Sequence, residues 1–249
     1  MTFSPVSALF LFPAMIVLLQ IGRRIRTSRA DAAAHGAIES AVFALFGLLL
    51  AFTFSGAAGR YDEHRKLIVE EANDIGTVYL RLDLLPPASQ PALRDLLRTY
   101  TEVRAHRFDE LPDTPQSIEA AHQTDRLQAE IWARSVAAAP QAGANPDATK
   151  LLLPALNTMF DITSTRKNAF NMHPPAIIFL LLFAFSGGCA FMAGYSMSST
   201  TPHWLYTIAL ALTVTLTVYA TLEVEYPRRG LVRLTTQNPV FTDLRNSMN

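Results

Sequence analysis

The chain has 249 residues, of which 21 are basic and 21 acidic, so its formal net charge at pH 7 is zero. Charged residues make up 17% of the sequence and hydrophobic residues 50%, whereas about 25% of a soluble globular protein is charged. This composition excludes a disordered chain or a nucleic-acid-coating protein, and the one cysteine, Cys189, excludes an internal disulfide and a cysteine-based zinc site.

Four long stretches are almost free of charged side chains. A helix of about 20 apolar residues spans the hydrocarbon core of a bilayer, and all four stretches reach or approach that length. The sequence therefore predicts transmembrane helices over 4–22, 38–56, 174–195 and 204–222. The first has no Lys or Arg before its apolar run, and arginines follow it, which is the wrong polarity for a cleaved signal peptide. We expect this helix to be retained.

Residues 60–172 are polar and have helical periodicity. Within them, side chains that recur every seven residues predict a helix–helix seam: Tyr61, Ile68, Ile75 and Leu82. No proline interrupts residues 37–85. The second transmembrane helix is therefore expected to continue as one long helix until Pro86 and Pro87 stop it.

Three further helices are predicted in the polar region, over about 90–111, 116–138 and 148–171. The residues of their buried faces are Leu93, Leu96, Leu97, Tyr100, Val103, Phe108 and Leu111 in the first; Ile118, Leu127, Ile131 and Trp132 in the second; and Leu152, Leu156, Phe160, Thr163 and Phe170 in the third. Pro227 and Gly230 predict a turn, followed by a short tail with one extended strand. Apart from that tail, no stretch has β-alternation, so the fold class is all-α.

The predicted organisation has four parts. Transmembrane helices one and two occupy 1–59, a helical extramembrane domain 60–172, transmembrane helices three and four 173–223, and a C-terminal tail 224–249.

Positive charge gives two opposing signals on membrane orientation. The uncharged loop 196–203, together with arginines at 228, 229 and 233, favours a cytoplasmic middle domain and cytoplasmic termini. The arginines at 23, 24, 26 and 29 favour the reverse. We adopt the cytoplasmic placement of the middle domain.

Motifs of enzymes are absent: the sequence has no GxGxxG, Walker loop, HExxH or GxSxG. No two of the six histidines have the spacing of metal ligands on one helix face. We therefore expect neither an enzyme nor a cofactor or metal site. An acidic cluster of Glu70, Glu71, Asp74 and Asp83 could bind a cation or move protons, although a solvated helix face is the simpler interpretation.

Helix two carries two stripes. Large side chains lie along one stripe, Phe43, Phe46, Leu50 and Phe54, and small ones along the other, Gly47, Ala51, Ser55 and Gly59. Small residues spaced by four allow helix backbones to approach closely. One interpretation makes the small stripe a packing seam and turns the phenylalanines to lipid. In the other, several copies of helix two surround an axis, and the aromatic stripe forms a hydrophobic neck that gates by dewetting.

The segment LLLAFTFSGAAGRYDEHRKLIVEEANDIG, residues 48–76, resembles the bestrophin family around its second membrane helix. The matching positions are Arg60, Tyr61, Glu63, Arg65 and Lys66. More closely, nearly the whole chain resembles the bestrophin-like membrane proteins of bacteria, through EANDIGTVYLRLDLLP, DITSTRKNAFNMHPPAI and EYPRRGLVRL. These motifs place Glu71, Asn73, Arg81, Asp83, Pro227 and Gly230 among the family positions.

The resemblance implies four membrane helices with a helical cytoplasmic domain inserted between helices two and three, in a bacterial inner membrane. Bestrophins are pentameric anion channels whose pore is lined by helix two and has a hydrophobic neck. The resemblance therefore implies that the aromatic stripe faces such a neck. Asp62 stands where bestrophins often have a second Trp, and the chain lacks their acidic calcium clasp, so calcium gating is not supported.

Two functional hypotheses follow. The first is a homo-oligomeric, channel-like membrane protein that passes small ions along an axial pore lined by helix two. The alternative is a non-conducting membrane scaffold or sensor whose helical domain binds a protein partner. The expected partners are the lipid bilayer, further copies of the chain and small ions, with no nucleic acid.

Overall fold

The computed structural model describes residues 4–25, 32–106, 114–197, 204–227 and 238–248. Every regular element within these ranges is helical, which confirms the all-α class for the described chain. The α-helices are α1 (Leu11–Ile25), α2 (Ala32–Arg81), α3 (Gln90–His106), α4 (Pro115–Ala138), α5 (Ala148–Asn171), α6 (Ala176–Ser196), α7 (Trp204–Glu225) and α8 (Asn238–Ser247). Short 3-10 turns cover Pro5–Phe10 and Leu82–Leu84.

Among the described residues, four helical stretches are long and apolar enough to cross a membrane, as the sequence predicts. They include α1 with its preceding turn, the apolar half of α2, α6 and α7. Helix α2 is continuous over 50 residues. Its length confirms the single long helix expected from the absence of proline before Pro86.

The chain folds as two compact units. The membrane unit comprises Met1–Tyr61 and His173–Val232, and the polar unit comprises Asp62–Met172 and Arg233–Asn249. Helix α2 therefore supplies residues to both units. The membrane unit has one apolar core to which all four membrane helices contribute, with Met15, Phe46, Phe179 and Val218 as examples.

Helices α1 and α6 approach at backbone distance through two glycines. A Cβ on Gly194 would lie 2.7 Å from the carbonyl carbon of Leu19 and against its oxygen. A Cβ on Gly22 would lie 2.9 Å from the amide nitrogen of Tyr195 and against the carbonyl oxygen of Phe191. Glycine at both positions lets the two backbones approach this closely, as small residues do at membrane-helix interfaces.

The core of the polar unit confirms most of the predicted stripes. Ile68, Ile75 and Leu82 of the seven-residue seam are buried there, packed with side chains such as Leu97, Ile131 and Leu156. Ile118 is an exception, because its side chain is 52% exposed. In the first turn of α4 it is the neighbouring Ser117, not Ile118, that is buried.

The C-terminal segment corrects the sequence prediction of an extended tail. Residues 238–247 form helix α8, whose Phe241 and the following Met248 are buried in the polar unit. Pro239 lies in the first turn of α8, where proline is favoured because its missing N–H has no intrahelical partner. The spacing of Phe241, Leu244 and Met248 places three apolar side chains on one face.

Some sequence predictions fall outside the described residues. They concern Arg26, Arg29, Phe108, Leu111, Arg228, Arg229, Gly230, Arg233 and most of the loop 196–203.

Candidate ion path and buried charge centres

The aromatic stripe of α2 divides between the interior and the surface of the membrane unit. Phe46 is only 5% exposed and belongs to the apolar core of that unit. Phe43 and Leu50 are partly buried against the same core. Phe54, by contrast, is 43% exposed. The neck assignment of these four residues stays a prediction, and Phe54 is the member whose side chain is most open at the surface.

The small-residue stripe of α2 lies beside the aromatic stripe, on an open side of the helix. Gly47, Ala51, Ser55 and Gly59 are all exposed. Within the described part of the chain, nothing lies within 4 Å of a Cβ placed on Gly47 or on Gly59. In the most apolar 18-residue stretch of α2, 17% is buried, whereas 33–39% is buried in the corresponding stretches of the other three membrane helices. Helix α2 is thus the membrane helix that the described part of the chain covers least.

A buried carboxylate joins three segments at one end of the membrane unit. Glu225, the last residue of α7, accepts hydrogen bonds from Arg60 of α2, with Nε 2.9 Å and Nη2 2.6 Å from Oε2. The Nδ1 atom of His173, just before α6, lies 3.1 Å from Oε1 of the same carboxylate. We call these three residues the Glu225 clasp. The carboxylate is buried with a cation beside it, which is how proteins accommodate buried charge.

A second buried carboxylate lies in the polar unit. Glu71 of α2 is bound by Arg104 of α3, with Nη2 3.1 Å from Oε2, and also by Arg166 of α5. All three side chains are buried. Burial alone would raise the pKa of Glu71, but the adjacent guanidinium groups of Arg104 and Arg166 hold that pKa below its ordinary value. We call this group the Glu71 centre; it connects three helices through one carboxylate.

Two further polar contacts lie close to the Glu71 centre. The hydroxyl of Tyr100 lies 3.2 Å from Oγ1 of Thr163, and Gln128 donates to it over 3.1 Å. Burial raises the pKa of Tyr100, so this hydroxyl stays protonated. The C-terminal helix also reaches the centre, because the guanidinium of Arg166 lies 5.8 Å from the ring centroid of Phe241.

The predicted acidic cluster is not a shared carboxylate site. Glu71 is buried and paired, Asp83 pairs with Arg94, and Glu70 is exposed. Burial, followed by the charges of Glu70 and Glu71, raises the pKa of Asp74. Among the described residues, no group of three His, Cys, Asp or Glu side chains could hold a metal ion. The four carboxylates therefore do not converge on one ligand site, although the charges of Glu70 and Glu71 act on Asp74.

The remaining positions named from the family motifs lie mostly at the surface. Asp62 and Glu63 form exposed ion pairs with Arg65 and Lys66, over 3.9 Å and 3.7 Å. Arg81 donates to the carbonyl of Leu151 over 2.6 Å. The side chain of Tyr61 is half-buried, that of Asn73 is exposed and that of Pro227 is buried.

Sequence reasoning missed the pairing of Glu71 and the glycine crossing of α1 and α6. The signal for Glu71 was present, because it lies three residues after Ile68 and four before Ile75, on the buried face of the seam. The partners of Glu71 are distant in sequence, so no local pattern names them.

The fold defines a class of protein: an all-helical membrane protein with four apolar helices long enough to span a bilayer and a separate polar helical unit. The Bestrophin-like domain matches residues 8–238, so the chain belongs to the Bestrophin-like domain family. No curated protein matches the chain.

Solved structures of a bacterial bestrophin homologue from Klebsiella pneumoniae share this fold. Three single-site variants of that protein match with TM-scores of 0.69, 0.71 and 0.71 at 15%, 12% and 13% sequence identity. The matches cover 97–98% of this chain and 96–98% of those chains. At this level of identity the likeness shows the fold alone.

Proposed function

We propose that the protein is a homo-oligomeric, channel-like membrane protein that passes small ions along an axial path lined by α2. The single observation that carries the proposal is the open face of α2. A helix whose small residues are exposed within one chain is suited to close packing with helices of neighbouring copies. Family membership and the shared fold support the same reading.

The proposal includes a specific organisation. Five copies would assemble in a bacterial inner membrane, with the helical domain 60–172 inserted between the second and third membrane helices on the cytoplasmic side. The neck would be formed along the stripe Phe43, Phe46, Leu50 and Phe54. Because Phe46 fills the protomer core, its contribution would be to position α2, whereas Phe54 would constrict the path.

The test is ion release from liposomes that contain the purified protein. The channel proposal expects wild-type protein to release a small ion faster than empty liposomes do. Equal release from both, with the oligomer intact, would favour a non-conducting scaffold or sensor whose helical domain binds a protein partner.

We expect Phe54→Ala to raise basal ion flux severalfold in the same assay. An apolar constriction resists ions because they must shed water without receiving replacement ligands, and alanine would widen and hydrate it. Phe46→Ala is the comparison variant, since its buried side chain is expected to lose packing without opening the path. Unchanged flux in Phe54→Ala, with normal assembly, would place this side chain against lipid.

We also expect Gly47→Leu and Ala51→Leu to disrupt assembly. Each variant places a branched side chain where the proposal brings two helix backbones together. Because a Cβ on Gly47 meets nothing within 4 Å inside the chain, folding of the protomer itself should be little affected. Size-exclusion chromatography in detergent measures the result. An unchanged oligomer in both variants would show that this stripe makes no contact between copies.

A further inference from the structure

We infer that helix α8 is a displaceable lid over the Glu71 centre, and that the docking of α8 and the ion pairs of the centre stabilise each other. Both belong to the polar unit. The centre joins Glu71 on α2 to Arg104 on α3 and Arg166 on α5. The inference goes beyond the proposed function, because it holds whether or not the protein passes ions.

The side chains of α8 reach two of the helices that carry the centre. On α5, the guanidinium of Arg166 lies 5.8 Å from the centroid of the Phe241 ring, within the distance at which a cation is attracted to an aromatic face. On α2, a Cβ placed on Gly76 would lie 3.3 Å from a terminal carbon of Leu244. The missing side chain of Gly76 therefore makes room for Leu244.

The third helix of the centre, α3, holds the far end of the lid. The carbonyl oxygen of Met248 accepts a hydrogen bond from Nε of Arg98 over 2.8 Å, and its sulphur lies 3.7 Å from Oγ1 of Thr101. Arg245 also donates to Glu102 over 2.7 Å. This ion pair is exposed, so it contributes little. The lid thus contacts all three helices that Glu71 connects.

The position of Phe241 explains how the lid protects the centre. Phe241 is buried, as are the three charged side chains of the centre. A phenyl ring neither donates nor accepts an ordinary hydrogen bond, so its place beside the Arg166 guanidinium excludes water there. Charges attract each other more strongly where water is absent. Docking of α8 therefore strengthens the ion pairs beneath it.

Helix α8 is short enough to leave without the rest of the unit. It has 10 residues, and isolated helices shorter than about 12–15 residues are marginal in water. Two buried side chains, Phe241 and Met248, anchor it in the core, while the residues between them are exposed or only partly buried. Elements with few buried contacts open locally. Undocking of α8 is therefore also its unfolding.

The charge of Glu71 couples the centre to the lid. Arg104 and Arg166 stay protonated at physiological pH. If Glu71 is neutralised, both lose the carboxylate that binds them, and hydration of these buried charges becomes favourable. Opening of α8 admits that water with the least loss of packing. The coupling is reciprocal, so loss of the lid also weakens the contribution of Glu71 to stability.

The first experiment is hydrogen exchange of the full-length protein in detergent, followed by mass spectrometry. Amides of α8 are compared with those of α4, a helix of the same unit that carries no member of the centre. Glu71→Gln is expected to speed exchange in α8 by about tenfold or more, with a smaller change in α4. Glu70→Gln, which changes an exposed neighbour, should leave α8 as in wild type.

Unchanged exchange of α8 in folded Glu71→Gln would overturn the inference. So would an equal rise in α8 and α4, because the whole unit would then be opening. If Glu71→Gln does not fold, Arg166→Lys takes its place, since lysine keeps a cation but loses the planar group beside Phe241. The same local rise in α8 is expected for it.

The second experiment tests the coupling from the side of the lid. Glu71→Gln, or Arg166→Lys in its place, should lower the unfolding temperature less in a Phe241→Ala background than in wild type. Asn246→Ala, which changes an exposed residue of α8, is the matched control and should leave the effect at its wild-type size. Additive effects with Phe241→Ala would overturn the mutual stabilisation of lid and centre.

Discussion

Glu71→Gln is expected to lower the free energy of unfolding of the polar unit by about 3–5 kcal/mol, because it leaves buried guanidinium groups without their carboxylate. Arg104 and Arg166 both bind Glu71, and all three side chains are buried. The amide of glutamine keeps the size of the side chain and removes its charge. Chemical unfolding of the detergent-solubilised full chain measures the loss.

Glu70→Gln is the matched control for this prediction. Glu70 is the preceding residue of the same helix and is exposed, so its neutralisation should change stability by less than about 0.5 kcal/mol. Equal effects of the two substitutions would show that the Glu71 centre does not stabilise the unit.

The pH dependence of stability should follow the Glu71 carboxylate in the acid range. Because its pKa is lowered in the folded state, its stabilising contribution is complete above the pKa of the unfolded chain and is lost as pH falls through the folded value. Wild-type protein should therefore lose stability more steeply on acidification than Glu71→Gln does.

Gly194→Val is expected to separate α1 from α6 and to destabilise the membrane unit by about 3 kcal/mol, the upper end of overpacking costs, since the added carbons would occupy space held by backbone atoms. Even a single Cβ would lie 2.7 Å from the carbonyl carbon of Leu19 and 2.8 Å from its Cα. Backbone within a helix has no rotamer with which to move aside. The effect is measured as a lower unfolding temperature, or as a lower yield of folded protein from membranes.

Gly188→Val on the same helix controls for the helix propensity of valine. A Cβ on Gly188 meets no atom within 4 Å, and valine is slightly less unfavourable than glycine within a helix, so this variant should change stability by less than about 0.5 kcal/mol. Similar losses at both glycines would contradict a backbone-distance crossing at Gly194.

Much of the fold could be predicted from the sequence because its signals are local. Uncharged runs located the membrane helices, and the seven-residue spacing of Ile68, Ile75 and Leu82 located the buried face of α2. Pro86 and Pro87 marked where α2 ends. Helix α8 was missed because it is short and because the partners of its buried end, Arg98 and Thr101, lie on distant α3.

The candidate site was less predictable, since it depends on which face of α2 the protomer covers. The spacing of the residues distinguishes the small stripe from the aromatic stripe. It does not indicate which of the two the rest of the chain leaves exposed. The structure buries Phe46 and exposes Gly47. The clasp likewise joins Arg60 to a residue 165 positions away, a separation across which a single sequence gives no pairing signal.

The most direct test of an axial path lined by α2 is the mass of the intact protein in detergent, measured by native mass spectrometry. One chain has a mass of 27.4 kDa. We expect a single species at an integral multiple of that mass, five by resemblance to bestrophins. A monomer under conditions that keep the protein folded would contradict an axial path, because one copy of α2 cannot enclose an axis.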